Sequence, residues 1–467
     1  MERAVDRGTR TPDSAEAWSL ITRRTDTAIM DADAIVVGGG LAGLVSAARL
    51  AEAGADVTLL ERRPRVGGRV RSRDVDGFTL DRGFQVLFTS YPAVARELDT
   101  GALDLRTFSP GATICRPGSR AVLSDPLREP TAVIESALNH EVPFSDKLRT
   151  LALRYDLSKR AEDEFFAGSG SDATIREYLS DWGFSSDYVE NFVEPFYGGI
   201  TLDRSLSTAE TVFEYTFRAM SRGSIAVPAE GMAAIPEQLA ERAADAGVEV
   251  HTGEDVEAVD VGSGGRFRLG SGGPADGARV ELADGKTLDA RCVVVATTPP
   301  EARKLTGVGS IPESGVPNVT AWFSLPERSS FSTGKRILLN AAGESPNAVV
   351  PISEVATEYA PRNRPLLAAT FLGEAALERD ADDLREDARE ALSGWYPERG
   401  FESLETVAVD RIPFAQFAQP PGVHATLPDP DDPEGPVVLA GEYTEWSSIQ
   451  GALESGRKAA AAAREHL

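Results

Sequence analysis

Lysine is scarce in this chain: of 48 basic side chains only Lys147, Lys159, Lys286, Lys304, Lys335 and Lys458 are lysines, and the rest are arginine. Against them stand 73 acids, a formal net charge of −25 over 467 residues. That balance excludes nucleic acid as a partner, since a polyphosphate is held by basic side chains. The acids are scattered, which favours adaptation to a salty cytoplasm over a dedicated surface for a cationic partner. At about 1 M salt, screening over roughly 3 Å removes the self-repulsion of such a surface. Cys115 and Cys292 are the two cysteines, too few for a disulfide framework and no sign of an oxidising compartment. The four histidines, His140, His251, His424 and His466, lack ligand spacing, so no metal is expected. No apolar run reaches 18 residues, and no membrane-spanning segment is expected. Arg23-Arg24 could open a twin-arginine signal, but Thr25 to Asp33 supplies no apolar core. Residues 1–29 are polar without pattern and read as a disordered tail or an overlong start.

With 42% hydrophobic residues the remainder should be globular. The stretch from Ala34 to Arg69 is the most informative. Ala34 to Val37 reads as a buried parallel strand. Gly38, Gly40 and Gly43 then form GxGxxG at a strand-to-helix turn. The first glycine permits the turn, the second admits a pyrophosphate, and the third lets helix and sheet pack closely. Leu41, Leu44, Val45 and Ala48 follow at helical spacing, Gly54 can end the helix, and Val57 to Leu60 reads as a second strand. Glu61 stands where a carboxylate accepts the hydroxyls of an adenosine ribose. These parts together predict a dinucleotide site.

The sequel Val66-Gly67-Gly68-Arg69 resembles the extended FAD signature of the flavin amine oxidase, protoporphyrinogen oxidase and carotene (phytoene) desaturase superfamily. The resemblance implies FAD as cofactor, with Gly67, Gly68 and Arg69 against its pyrophosphate. Leu41, Ala42 and Arg62 belong to the same implied contact set. A guanidinium is a planar donor for phosphate oxygens, and glycine lets backbone approach closely. Two later segments resemble pieces that return to this domain. Val227 to Asp260 reads as a loop, a helix stopped at Gly247 and a strand, with Val256 matching a valine that meets the adenine. From Pro436, PVVLAGEYTEWSSIQGALESG resembles the superfamily's closing motif, especially in desaturases. There Gly441 and Glu442 would hold the ribityl chain and pyrophosphate, and a helix starting near Ser448 would face the flavin, with Gly451 and Ala452 small enough for its approach.

The expected fold is therefore α/β: a Rossmann-type FAD-binding domain in three segments (30–98, 225–305 and 432–467) with an inserted α+β substrate domain (99–224 and 306–431). The glycine-rich stretch 262–278 reads as a hairpin tip, and FVEPFYGGI resembles a turn closing the helical half. Leu80 to Gln85 resembles the acid-x-Gly loop of the same superfamily, and the resemblance implies Gly83 beside the flavin ring, with Arg82 and Gln85 toward substrate. Tyr443 and Trp446 flank the closing motif and complete the candidate catalytic set.

The amine oxidases of the superfamily carry a lysine for a water at flavin N5, but Lys304 falls too early after Thr298-Pro299-Pro300. Their guiding aromatic pair is not evident either. A desaturase needs neither, because flavin N5 accepts the hydride and an apolar tunnel orients the substrate. The expected reaction is hydride transfer from an apolar, carotenoid-like isoprenoid. An amine-oxidase-like or protoporphyrinogen-oxidase-like oxidase, or a non-redox flavin isomerase, remain as alternatives. The expected setting is cytoplasmic, with weak peripheral membrane contact at the tunnel mouth that rises with salt.

Overall fold

The computed structural model describes residues 32–124, 143–162, 164–166, 173–261, 277–326, 331–343 and 345–467. The tail 1–29 and all but the end of the glycine-rich stretch 262–278 lie outside them. β1 (Ala32–Val37) is apolar and almost wholly buried, so it occupies the middle of a seven-stranded sheet. It pairs in parallel with β2 (Val57–Glu61) on one side and with Thr287–Val295 on the other. Glu249–Thr252 extends the sheet beyond β2. The far edge of Thr287–Val295 is shared. Thr287 to Ala290 pair antiparallel with Ala278–Leu282, which carries Val256–Val261, whereas Val293 to Val295 pair in parallel with Val437–Leu439.

α1 (Leu41–Glu52) packs on this sheet and on the C-terminal helix Ile449–Ala463. Their crossing is close because Gly456 has no side chain: a Cβ there would stand 2.5 Å from the Ala42 carbonyl oxygen. Ser46 Oγ donates to the carbonyls of Ala42 and Gly456, at 2.9 and 3.0 Å, and ties the two helices together.

A second seven-stranded sheet draws strands from residues 112–123 and 315–417. Ile337–Asn340 runs parallel to Ala112–Arg116, and that pairing joins the two inserted segments. Side chains alternate along Gly315–Ser324. Val319, Ala321 and Phe323 pack with Leu384, Leu392 and Trp395 of the helix Ala381–Trp395, which leaves Asn318 and Thr320 on the opposite face. On that face lie helices from residues 175–222, where Phe192 and Phe196 pack on Ala112, Leu339 and Ala348.

Two local expectations are corrected. EPFYGGI lies within the helix Glu194–Thr201, which continues directly from a π-turn at Val189–Val193. VPAEG opens as the strand Ile225–Pro228, held between Leu87–Phe88 and Leu105–Thr107. Among the described residues no helix is long and apolar enough to cross a membrane.

Candidate active site

One cavity begins over the carboxyl ends of the parallel strands and continues beneath the second sheet. Gly38, at φ +109°, turns the chain out of β1. α1 starts at Gly40 with no side-chain cap, so the N–H groups of its first turn are left for a ligand. Gly40, Leu41 and Ala42 line the cavity, and a Cβ on Gly40 would meet open space. Gly43 does not line it. A methyl there would collide with the Gly38 carbonyl, so this glycine serves the packing of helix on strand.

Glu61 is buried at the end of β2. Its Oε2 accepts from Gly39 N at 2.8 Å and its Oε1 from Arg63 N at 2.9 Å, which leaves lone pairs for two further donors. Arg62 (3.8 Å from Glu301) and Val256 border the same end. Gly67 and Gly68, both at positive φ, carry the chain close to Gly40, where a Cβ on Gly68 would come within 3.2 Å of the Gly40 Cα. Arg69 then pairs with Glu442 and donates to the Ala415 carbonyl at 3.3 Å. The buried Glu442 Oε1 has no partner among the described residues. Gly441 lies beside it on the wall.

Guanidinium groups crowd this region of an acidic protein. Burial, then repulsion from Arg82 and Arg63, pushes Arg71 down to about 10. Burial, then Arg63, holds Arg82 below the usual arginine range. Glu61, Asp410 and Glu442 offset part of this repulsion, and an anionic ligand would relieve more of it. The donor set fits FAD: the open start of α1 and Arg69 would hold the pyrophosphate, Glu61 the ribose, and Glu442 Oε1 a ribityl hydroxyl.

Farther in, Gly83 (φ +80°) abuts Asn318 and Ile412, and a Cβ there would press on Ile412 at 3.0 Å. Phe84 N donates to Thr320 Oγ1 at 3.2 Å, and Gln85 Nε2 to the carbonyls of Arg69 and Arg82 at 3.1 and 3.2 Å. Arg82, Gly83 and Gln85 all line the cavity. The buried carbonyl oxygens of Gln85 and Asn318 have no partner among the described residues. Trp446 lines it too, its ring stacked on Phe166 with centroids 5.4 Å apart.

Tyr443 does not. It is buried among the sheet residues, and its hydroxyl lies 3.2 and 3.3 Å from the carbonyls of Val295 and Ala440. It is therefore a packing residue beside Gly441. Gly451 is also off the wall: a methyl there would strike the Trp446 carbonyl, while Ala452 faces the cavity. Ser448 caps the C-terminal helix, accepting from Gly451 N at 2.8 Å. The cavity residues Asn318, Phe196 and Ile200 were missed in the sequence. For Asn318 a signal existed, since Asn318 and Thr320 are polar positions two apart in the mostly apolar strand Gly315–Ser324.

Asp81 anchors this loop. It is fully buried and accepts from Ser72 Oγ (2.6 Å), Met232 N (2.8 Å) and Tyr359 OH (3.0 Å). Burial nevertheless pushes its carboxyl up to about 6. The unfolded chain ionises it from about pH 4, so its contribution to stability is lost as pH rises toward 6. Relative to Asp81→Asn, the wild type should therefore lose unfolding free energy between pH 4 and 6 in denaturant titrations. Parallel pH curves would refute the assignment.

Fold and cradle together define an FAD-dependent oxidoreductase. The model of the family described as flavin containing amine oxidoreductase matches residues 41–464, and the chain belongs to that family. The carotenoid 3,4-desaturase of Haloarcula japonica is 55% identical over 51 residues, 11% of this chain and 10% of that one. Protoporphyrinogen oxidase 2 of Arabidopsis thaliana is 29% identical over 171 residues, 35% of this chain and 31% of the relative. The matches thus span a third or less of these relatives. An oxidoreductase from Methanosarcina mazei has the same fold, with TM-score 0.70 at 17% identity, covering 92% of this chain and 99% of that one.

Proposed function

We propose that this protein is a dehydrogenase or desaturase of an apolar, isoprenoid-like substrate. The observation that carries the reading is the inner part of the cavity, walled by Phe84, Phe88, Phe196, Ile200, Leu339 and Ile412. No lysine or histidine lines it among the described residues. Lys304 sits exposed on the helix Pro299–Thr306. When bound, FAD supplies the hydride acceptor. The chain's part is then to orient an apolar carbon skeleton and exclude water, which apolar walls do by burial and shape. The 51-residue likeness to a carotenoid desaturase supports this reading.

The test is a substrate panel with purified, FAD-loaded protein. Consumption of a polyene with an added quinone or other acceptor is the expected result. Peroxide release on simple amines, with no polyene turnover, would replace this reading with the amine oxidase one. Turnover only with pre-reduced flavin and no net electron transfer would point to an isomerase.

A further inference from the structure

Among the described residues five large apolar side chains stand exposed, and four share the helix Phe144–Lys159. Phe144, Leu148, Leu151 and Tyr155 have 72, 52, 40 and 66% of their surface open. Spacings of four, three and four residues place them on one stripe. The other face fixes the helix to the protein. Leu153 and Leu157 are buried there, Asp146 accepts from Ser185 N at 3.2 Å, and Arg154 donates to the Ser221 carbonyl at 2.9 Å. One apolar face suffices to dock a helix on a core, and this helix has two.

Its charge is also unlike the rest of the chain. Lys147, Arg149, Arg154 and Lys159 outnumber Asp146 and Asp156, although acids outnumber bases 73 to 48 overall. Asp146 is buried and pairs with Arg149 at 3.1 Å, so this pair cancels and Lys147, Arg154 and Lys159 stand against Asp156. Two of the six lysines border the stripe, and Lys159 Nζ lies 3.9 Å from the centre of the Tyr155 ring. Aromatic and aliphatic side chains edged by lysine suit a helix lying in a lipid headgroup layer. A second copy of the chain suits it less. Four side chains cover roughly a few hundred Å², short of the about 800 Å² per partner that stable interfaces bury.

We infer that Phe144–Lys159 is a membrane-contact helix, with the apolar stripe entering the bilayer surface and Lys159 at the lipid phosphates. Thr150 and Arg154 hold it against Tyr188 and the helix Glu210–Arg222. Thr216 and Phe196, from the layer beneath, line the cavity. The stripe thus stands one helix layer outside the apolar end of the site. Delivery of an apolar substrate from the bilayer to that end of the site rests on the proposed function; lipid contact does not.

The experiment is co-sedimentation of the full-length, FAD-loaded protein with vesicles of phosphatidylcholine containing phosphatidylglycerol, at 0.1 M and 1 M salt. The acidic surface opposes anionic lipid at low salt, so the contact should show best at 1 M, where charges are screened over about 3 Å. The wild type should pellet with vesicles, and the Leu148→Ser/Leu151→Ser double variant should partition about tenfold less. Both positions are exposed, so the flavin spectrum and melting temperature of the variant should match the wild type. Equal pelleting of the two proteins, or none at either salt, overturns the inference. So does a change from dimer to monomer in the variant without loss of lipid binding, since a second copy would then be the occupant. Amine oxidation by a protein that still binds vesicles would refute the proposed substrate and leave this helix's role standing.

Discussion

Glu61→Ala is expected to purify colourless, while Glu52→Ala stays yellow. In the variant the ribose hydroxyls lose a charged acceptor, and the N–H groups of Gly39 and Arg63 lose theirs. Losing one charged hydrogen bond costs about 1.5–3 kcal/mol. That corresponds to roughly ten- to a hundredfold in FAD affinity. Glu52 pairs with Arg242 on the protein surface at 2.7 Å, an exposed contact worth at most about 1 kcal/mol of stability and remote from the cofactor. The measurement is the ratio of flavin to protein absorbance after gel filtration, followed by titration with added FAD. Equal retention by both variants would show that Glu61 does not hold the ribose.

The second large effect separates two glycines of one motif. Gly40→Ala should fold and melt like the wild-type apoprotein, because its φ of −77° suits alanine and its Cβ meets nothing within 4 Å. The methyl would instead occupy the cradle, so FAD binding should be lost. Gly43→Ala should fail the other way. Its methyl strikes the Gly38 carbonyl and approaches Ala296 Cβ to 3.0 Å, and backbone cannot yield as a flexible side chain can. Overpacking of this kind costs about 1–3 kcal/mol or more. Gly43→Ala should therefore melt lower even as apoprotein. Thermal unfolding with and without FAD distinguishes the two, and identical behaviour of both variants would refute the division of roles.

Much of the nucleotide half was legible in the sequence because its signals are local. A buried strand, a glycine turn, an amphipathic helix and an acid follow one another within 30 residues, and β1, α1 and β2 fall where that order puts them. The closing strand and helix were legible for the same reason. The inner cavity was less so, since its walls come from strands and helices that meet only through tertiary pairing. Asn318 and Phe196 are 122 positions apart, and nothing in either neighbourhood announces the other. Tyr443 was misread through nearness in sequence. The short turn Glu442–Thr444 swings its ring into the sheet and away from the cavity that Gly441 and Glu442 line. Gly451 was misread similarly, because smallness served the helix start and not the ligand.

The shared edge of Thr287–Val295 also dictates a timetable. Val437–Leu439 reaches that edge only after the 140 or so residues that follow Val295 have been made, and Glu442 and the helix Ile449–Ala463 come later still. Until then the cradle lacks one wall, and α1 lacks the helix that Ser46 ties to it. Flavin capture thus waits on the segment from Val437 onward, and a nascent chain arrested before residue 437 should emerge without its cofactor.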